Sequence, residues 1–178
     1  IFSTSGNLLT KMDVRYLDTE RSTWGLGHIE DNQDEFPMSF QLVRVYGTVY
    51  RRASGPVFLG LGYHYDEFMN IEDDHAKNGV STPFTEYNGA NPPDRTVASG
   101  FSINVLGDTR DNLVNPSTGY YLSASFRDYL EALGSDDNWQ EMWMEMRLYP
   151  HLPTSSRNVL GFWLYTWMTF GRAPYLNL

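Results

Sequence analysis

The feature that most constrains this chain is the length of its alternating segments. Eight stretches of roughly ten to fourteen residues switch between apolar and polar at every step, the period of a β-strand. Strands in soluble domains usually run about five to six residues. A strand crossing a bilayer needs about nine to eleven, tilted near 45°. The spacing predicts strands over about Asn7–Asp18, Thr23–Glu30, Ser39–Arg52, Val57–Met69, Val97–Gly107, Gly119–Leu130, Asn138–Leu152 and Asn158–Phe170. The seventh is rich in helix formers, yet Met142, Met144, Met146 and Leu148 alternate with Glu141, Trp143, Glu145 and Arg147. On a helix that pattern would spread apolar residues around every side, so period outweighs propensity and a strand is predicted.

Composition narrows the classes. Mean hydropathy is −0.44, and no stretch approaches the roughly 18 apolar residues of a membrane-spanning helix. A barrel remains open, because only alternate residues of a spanning strand must be apolar. Aromatics reach 15 %, as at membrane interfaces. There is no cysteine, hence no disulfide framework and no thiolate chemistry. A net charge of −9 argues against a nucleic-acid partner. Both ends read as cuts in a longer protein, so residues 1–178 are expected to be one partial barrel domain.

Predicted connections alternate in length. Asp18–Ser22, Arg52–Gly55, Asn115–Gly119 and Pro150–Arg157 are short; Glu30–Met38, Asn70–Thr96 and Glu131–Asn138 are long. Bacterial outer-membrane barrels have short periplasmic turns and long outer loops. Acidic residues gather in the long loops (Glu30, Asp31, Asp34, Glu35, Glu72, Asp73, Asp74, Asp136, Asp137), whereas Arg21, Arg51, Arg52, Arg110 and Arg157 lie at the short ends. With eight strands the chain would start and stop on the outer side. The polar face, with Lys11, Arg15, Arg44, Arg127, Glu141, Glu145 and Arg147, would line a wet lumen. A soluble eight-stranded barrel would invert this arrangement and bury the apolar face.

Four phrases carry a resemblance. Gly107-Asp108-Thr109-Arg110-Asp111-Asn112 leads to Asn115-Pro116-Ser117-Thr118-Gly119-Tyr120-Tyr121-Leu122. Trp24-Gly25-Leu26-Gly27 follows a polar turn, Phe58 to Asp66 reads F-L-G-L-G-Y-H-Y-D, and Phe170 to Leu176 reads F-G-R-A-P-Y-L. Together they resemble the barrel of the bacterial surface antigen family, which includes the BamA- and TamA-like outer-membrane assembly factors. The resemblance implies strands four to eleven of a sixteen-stranded transmembrane barrel. Asp108, Thr109, Arg110, Asp111, Asn115, Pro116 and Gly119 would form the family motif at a periplasmic turn. Phe170–Leu176 would lead into an inward-folding loop. The turn chemistry agrees locally: Asn-Pro starts a type I turn, Gly119 can take the left-handed position, and Asp108, Arg110 and Asp111 can pair at the rim.

No motif of a hydrolase, nucleotide-binding loop or zinc enzyme occurs, so the sequence implies no enzyme, no cofactor and no resident metal. Glu72-Asp73-Asp74-His75 could be drawn as a metal cluster, but adjacent loop residues rarely converge on one ion. Gly60 and Gly62 read as room for close side-chain or loop approach, not a phosphate cradle. The expected function is protein insertion or translocation at the bacterial outer membrane, with lipid or lipopolysaccharide and client outer-membrane or secreted proteins as partners. The alternatives are a passive porin-like channel and a soluble β-barrel that binds a ligand.

Overall fold

The computed structural model describes residues 6–25, 35–89, 91–150 and 158–178. Seven antiparallel strands form one sheet in chain order: β1 (Leu8–Thr23), β2 (Phe36–Ser54), β3 (Val57–Asp73), β4 (Thr96–Asp108), β5 (Gly119–Tyr129), β6 (Trp139–Tyr149) and β7 (Phe162–Gly171). The sheet is open, since β1 and β7 do not pair with each other. Two short helices, α1 (Asp74–Lys77) and α2 (Pro83–Asn88), lie between β3 and β4. The methionine-rich segment is strand β6, as its period predicts.

Two expectations change at the first hairpin. Asp18–Ser22 is not a turn: it lies inside β1, and Asp18 to Ser22 pair with Gln41 to Pro37. The segment holds no Gly, Pro or Asn to break a strand, and its polar side chains keep the alternation going. The expected strand Thr23–Glu30 is not formed where it is described. Thr23 ends β1, Trp24 and Gly25 lie outside any strand, and the remainder falls outside the described residues. Among the described residues, seven strands stand where eight were expected. Leu8 pairs with Arg51 beside the short β2–β3 turn, so the described chain enters the sheet at the short-turn end and leaves it at the long-loop end.

That reassignment moves Arg21 to the long-loop end, opposite Met38. Lys77, Arg95 and Arg172 also sit at that end, so the expected sorting of charge by sign is weaker than the sequence alone implied. Arg51, Arg52 and Arg110 do lie at the short end; Arg157, Glu30, Asp31 and Asp34 lie outside the described residues. Strand ends differ by a few residues elsewhere. β2 begins at Phe36, with Pro37 near its start where a missing ladder donor is tolerated, and β7 begins at Phe162 rather than Asn158.

The two faces of the sheet differ throughout. One carries Met12, Val14, Tyr16, Val45, Val49, Leu59, Leu61, Ile103, Phe126, Met142 and Leu164, all exposed; Met12 is 73 % exposed. The other is polar in its middle and packs on itself. Apolar clusters close that polar face at both ends. Met38, Phe40, Leu42, Phe68, Ile71, Phe84 and Tyr175 gather at the long-loop end, and Leu9, Tyr50, Phe58 and Leu106 at the short-turn end.

Candidate functional site: the polar face

Register brings the polar residues together. Across the sheet, Arg15 opposes Arg44, and Arg44 opposes Asp66. Ser102 opposes Arg127, and Arg127 opposes Glu141. Ser123 opposes Glu145, and Tyr121 opposes Arg147. Directly opposed residues share a face. All seven charged residues singled out from the sequence (Lys11, Arg15, Arg44, Arg127, Glu141, Glu145 and Arg147) therefore stand on one side of the sheet.

Most of these charges are neutralised in pairs. Asp66 is fully buried and accepts both Arg44 Nε at 2.6 Å and an Arg44 terminal nitrogen at 2.9 Å. The Tyr46 hydroxyl and Asn177 Nδ2 (3.1 Å) also donate to it. Arg127 donates to Glu141 at 2.8 Å. Arg15 forks onto Asp13, and Arg147 Nε reaches Glu145 at 2.7 Å. Charge pairs between strands are thus made by Arg44–Asp66 and Arg127–Glu141. Glu145–Arg147 lies within one strand instead.

The guanidinium of Arg127 on β5 sits 5.4 Å from the ring centre of Tyr46 on β2. In a flat sheet these strands would lie about 14 Å apart, at about 4.8 Å per neighbour. The polar face therefore curls in on itself. Asp66, His64 and Tyr46, the hub of this face, share it by strand parity, but they are not among the polar-face residues singled out from the sequence. The signal was present: they alternate in step with Gly60 and Gly62 on β3 and with Arg44 on β2.

Glycine makes room for the hub's neighbours. A Cβ on Gly60 would stand 2.6 Å from the Tyr50 ring, so that ring lies directly over the glycine. A Cβ on Gly62 would meet Ser102 Oγ at 2.5 Å. The close approach expected at these two positions is made by side chains. Ser102 Oγ in turn contacts His64 Nε2 and Asn104 Nδ2, both at 2.8 Å.

The C-terminal segment folds back over the long-loop end of this face. Beyond Gly171, Tyr87 Oη donates to the Ala173 carbonyl at 2.7 Å, Tyr175 Oη meets Thr23 Oγ1 at 2.7 Å, and Asn177 reaches Asp66. Burial raises the Tyr175 phenol above its ordinary value.

The expected turn motif is a compact hub at the short end. Gly119 has φ +99°, and a Cβ there would run into the Thr109 carbonyl. Thr109 and Tyr120 exchange bonds, from Thr109 N to Tyr120 O at 2.8 Å and from Tyr120 N to Thr109 Oγ1 at 2.9 Å. Arg110 forks onto Asp108, but Asp111 does not join them as expected. Its carboxylate accepts the amides of Ser117 (2.8 Å) and Thr118 (3.1 Å) and the Ser117 hydroxyl. Asn112 Oδ1 accepts the amides of Val114 and Asn115, ahead of Pro116. The Ser117 hydroxyl, then the amides of Ser117 and Thr118, hold Asp111 down at about 2.

Glu72-Asp73-Asp74-His75 is engaged locally. Asp73 caps α1 through the amides of His75 and Ala76 and accepts Thr82 Oγ1 at 2.5 Å. Lys77 bonds Glu72, and His75 packs edge-on against Phe36. No group of three metal-ligating side chains converges among the described residues.

Comparison with family models gives no match, and neither the curated proteins nor the solved structures yield a match.

Proposed function

We propose that this chain is an arc of a bacterial outer-membrane β-barrel, with its apolar face in lipid and its polar face lining an aqueous interior. One observation carries the reading. On the apolar side of β2, Gln41 and Arg51 bound a stretch whose outward residues are Val43, Val45, Gly47 and Val49. The ten steps between them cover about 33 Å along the strand at about 3.3 Å each. At a tilt of about 40° that is a band about 25 Å tall, the height of the apolar belt of such barrels. Polar residues edge the band on neighbouring strands too. Gln41 bonds Asp18, Glu67 takes Tyr65 and Arg95, and Gln140 bonds Asp128.

The open edges of β1 and β7 fit an arc, because unpaired backbone is not tolerated in hydrocarbon. The four phrases resembling the surface antigen family point to protein insertion or translocation as the barrel's work. The partners would then be outer-membrane lipid and client β-barrel or secreted proteins.

The test is refolding of the chain into phosphatidylcholine vesicles. Flotation with the lipid, and faster folding of an added unfolded outer-membrane barrel, are the expected results. Recovery as a monodisperse species in detergent-free buffer would overturn the membrane reading. Flotation without any acceleration would overturn the insertion half alone.

A further inference from the structure

We propose that the cleft in the middle of the polar face binds a hydroxyl-rich organic anion of the sugar-acid class. The cleft measures about 650 Å³, within the range of small-molecule sites, and its walls and floor differ in kind. Tyr46 and Tyr50 border one side, with the Tyr50 ring laid over Gly60, and Trp143 the other. Between them, Asn104, Ser123 and Ser125 give a floor of short hydroxyl and amide side chains, and Tyr121 and Arg127 of β5 line the cleft as well. The chair of a sugar acid offers its axial C–H face to the aromatics and its equatorial hydroxyls to the floor.

Three polar atoms of residues lining this cleft are left without a hydrogen-bond partner, His64 Nδ1, Ser125 Oγ and Arg127 Nε. His64 and Ser125 are only 4 % and 7 % exposed. Buried polar groups ordinarily find partners, and ligand hydroxyls arriving in the cleft would supply them.

Charge selects among hydroxylated ligands. Four other cations on this face have carboxylate partners: Arg15 with Asp13, Arg44 with Asp66, Arg127 with Glu141, Arg147 with Glu145. Lys11 lines the cleft with no carboxylate partner among the described residues, its ammonium 5.4 Å from the Tyr50 ring centre. Asp13, which also lines the cleft, is held by Arg15, so Lys11 is the cleft's cation without a carboxylate partner among the described residues. A neutral sugar would leave that charge unused, and a bare inorganic anion would leave the aromatic walls unused. The site does not depend on what bathes the apolar face, so it stands or falls apart from the membrane reading.

The experiment is calorimetric titration of the full chain with glucuronate, glucose and inorganic phosphate. A detergent without a sugar headgroup avoids competition at the site. Saturable glucuronate binding is expected, with glucose and phosphate each about tenfold weaker. Lys11→Gln should bring glucuronate down to the glucose level, and Ser125→Ala should weaken both sugars while far-ultraviolet dichroism stays unchanged. Absence of saturable glucuronate binding overturns the proposal. So does phosphate binding as tightly as glucuronate, or affinity unmoved by Lys11→Gln.

Discussion

Leu61→Arg separates lipid from water at the apolar face. Leu61 lies midway through the outward apolar run of β3, Val57 to Tyr65, between Val49 and Ile103 on the neighbouring strands, and 71 % of it is exposed. In water, charging so open a position would change stability by no more than about 0.5 kcal/mol. Near the midplane of a bilayer, an arginine on the lipid face of a barrel costs about 2–4 kcal/mol, a drop of roughly 30- to 900-fold in the folding equilibrium. The natural control is Leu113, also 71 % exposed but placed in the β4–β5 connection beyond the apolar band. Leu113→Arg should cost no more than about 1 kcal/mol, as near an interface. Urea titration of vesicle-inserted protein, followed by tryptophan fluorescence, measures both. Equal midpoints for the two variants would refute the argument, because exposure alone would then account for both positions.

Asp66→Asn leaves the Arg44 guanidinium without its buried counter-charge, and the loss should be about 3 kcal/mol by denaturant titration. Replacing both partners, Arg44→Met with Asp66→Leu, should recover most of it; a double variant as weak as the single would show that the pair itself stabilises. The turn hub carries a pH signature. The Asp111 carboxyl is depressed in the folded chain, so its contribution is complete above the ordinary carboxylate value near 4 and is lost as pH falls through about 2. Amide shifts of Ser117 and Thr118 should titrate with a midpoint near 2; a midpoint near 4 would mean that the carboxylate is not held by those donors.

Most of the sheet was legible in the alternation because strand parity decides which side chains share a face, and six of the segments need no tertiary information to be found. The error at Asp18–Ser22 has a local cause. A run of Asp, Thr, Glu, Arg and Ser is polar enough to suggest a turn, yet none of its members requires a special backbone angle. β1 continued because β2 offered partners as far as Phe36. Pro37 and the acidic residues before it disguised that partner as loop. The turn motif was legible at Gly119, whose positive φ follows from the tight return to Thr109. It was misjudged at Asp111, whose partners lie six and seven residues further on. The Asp66 hub was only half legible: parity puts Arg44, Tyr46 and Asp66 on one face, but their pairing needs the register of β2 against β3, and the fourth donor, Asn177, comes from the C-terminal segment.

The energetics of the two faces point the same way as the geometry. Ionic side chains are costly to bury unless paired and hydrogen-bonded, and this chain buries Asp66 and Glu141 with such partners while leaving Met12, Leu61 and Ile103 open. A sheet folding in water would gain more from the reverse assignment, since covering each large aliphatic side chain is worth about 1.5–3 kcal/mol. The observed assignment is favourable only if something apolar covers the outer face. The chain's own helices cannot do it: α1 and α2 sit at the loop end, and the C-terminal segment lies over the polar side. The cover must therefore come from outside the described sheet. The polar edge marked by Gln41, Glu67 and Gln140 gives the height at which it would stop.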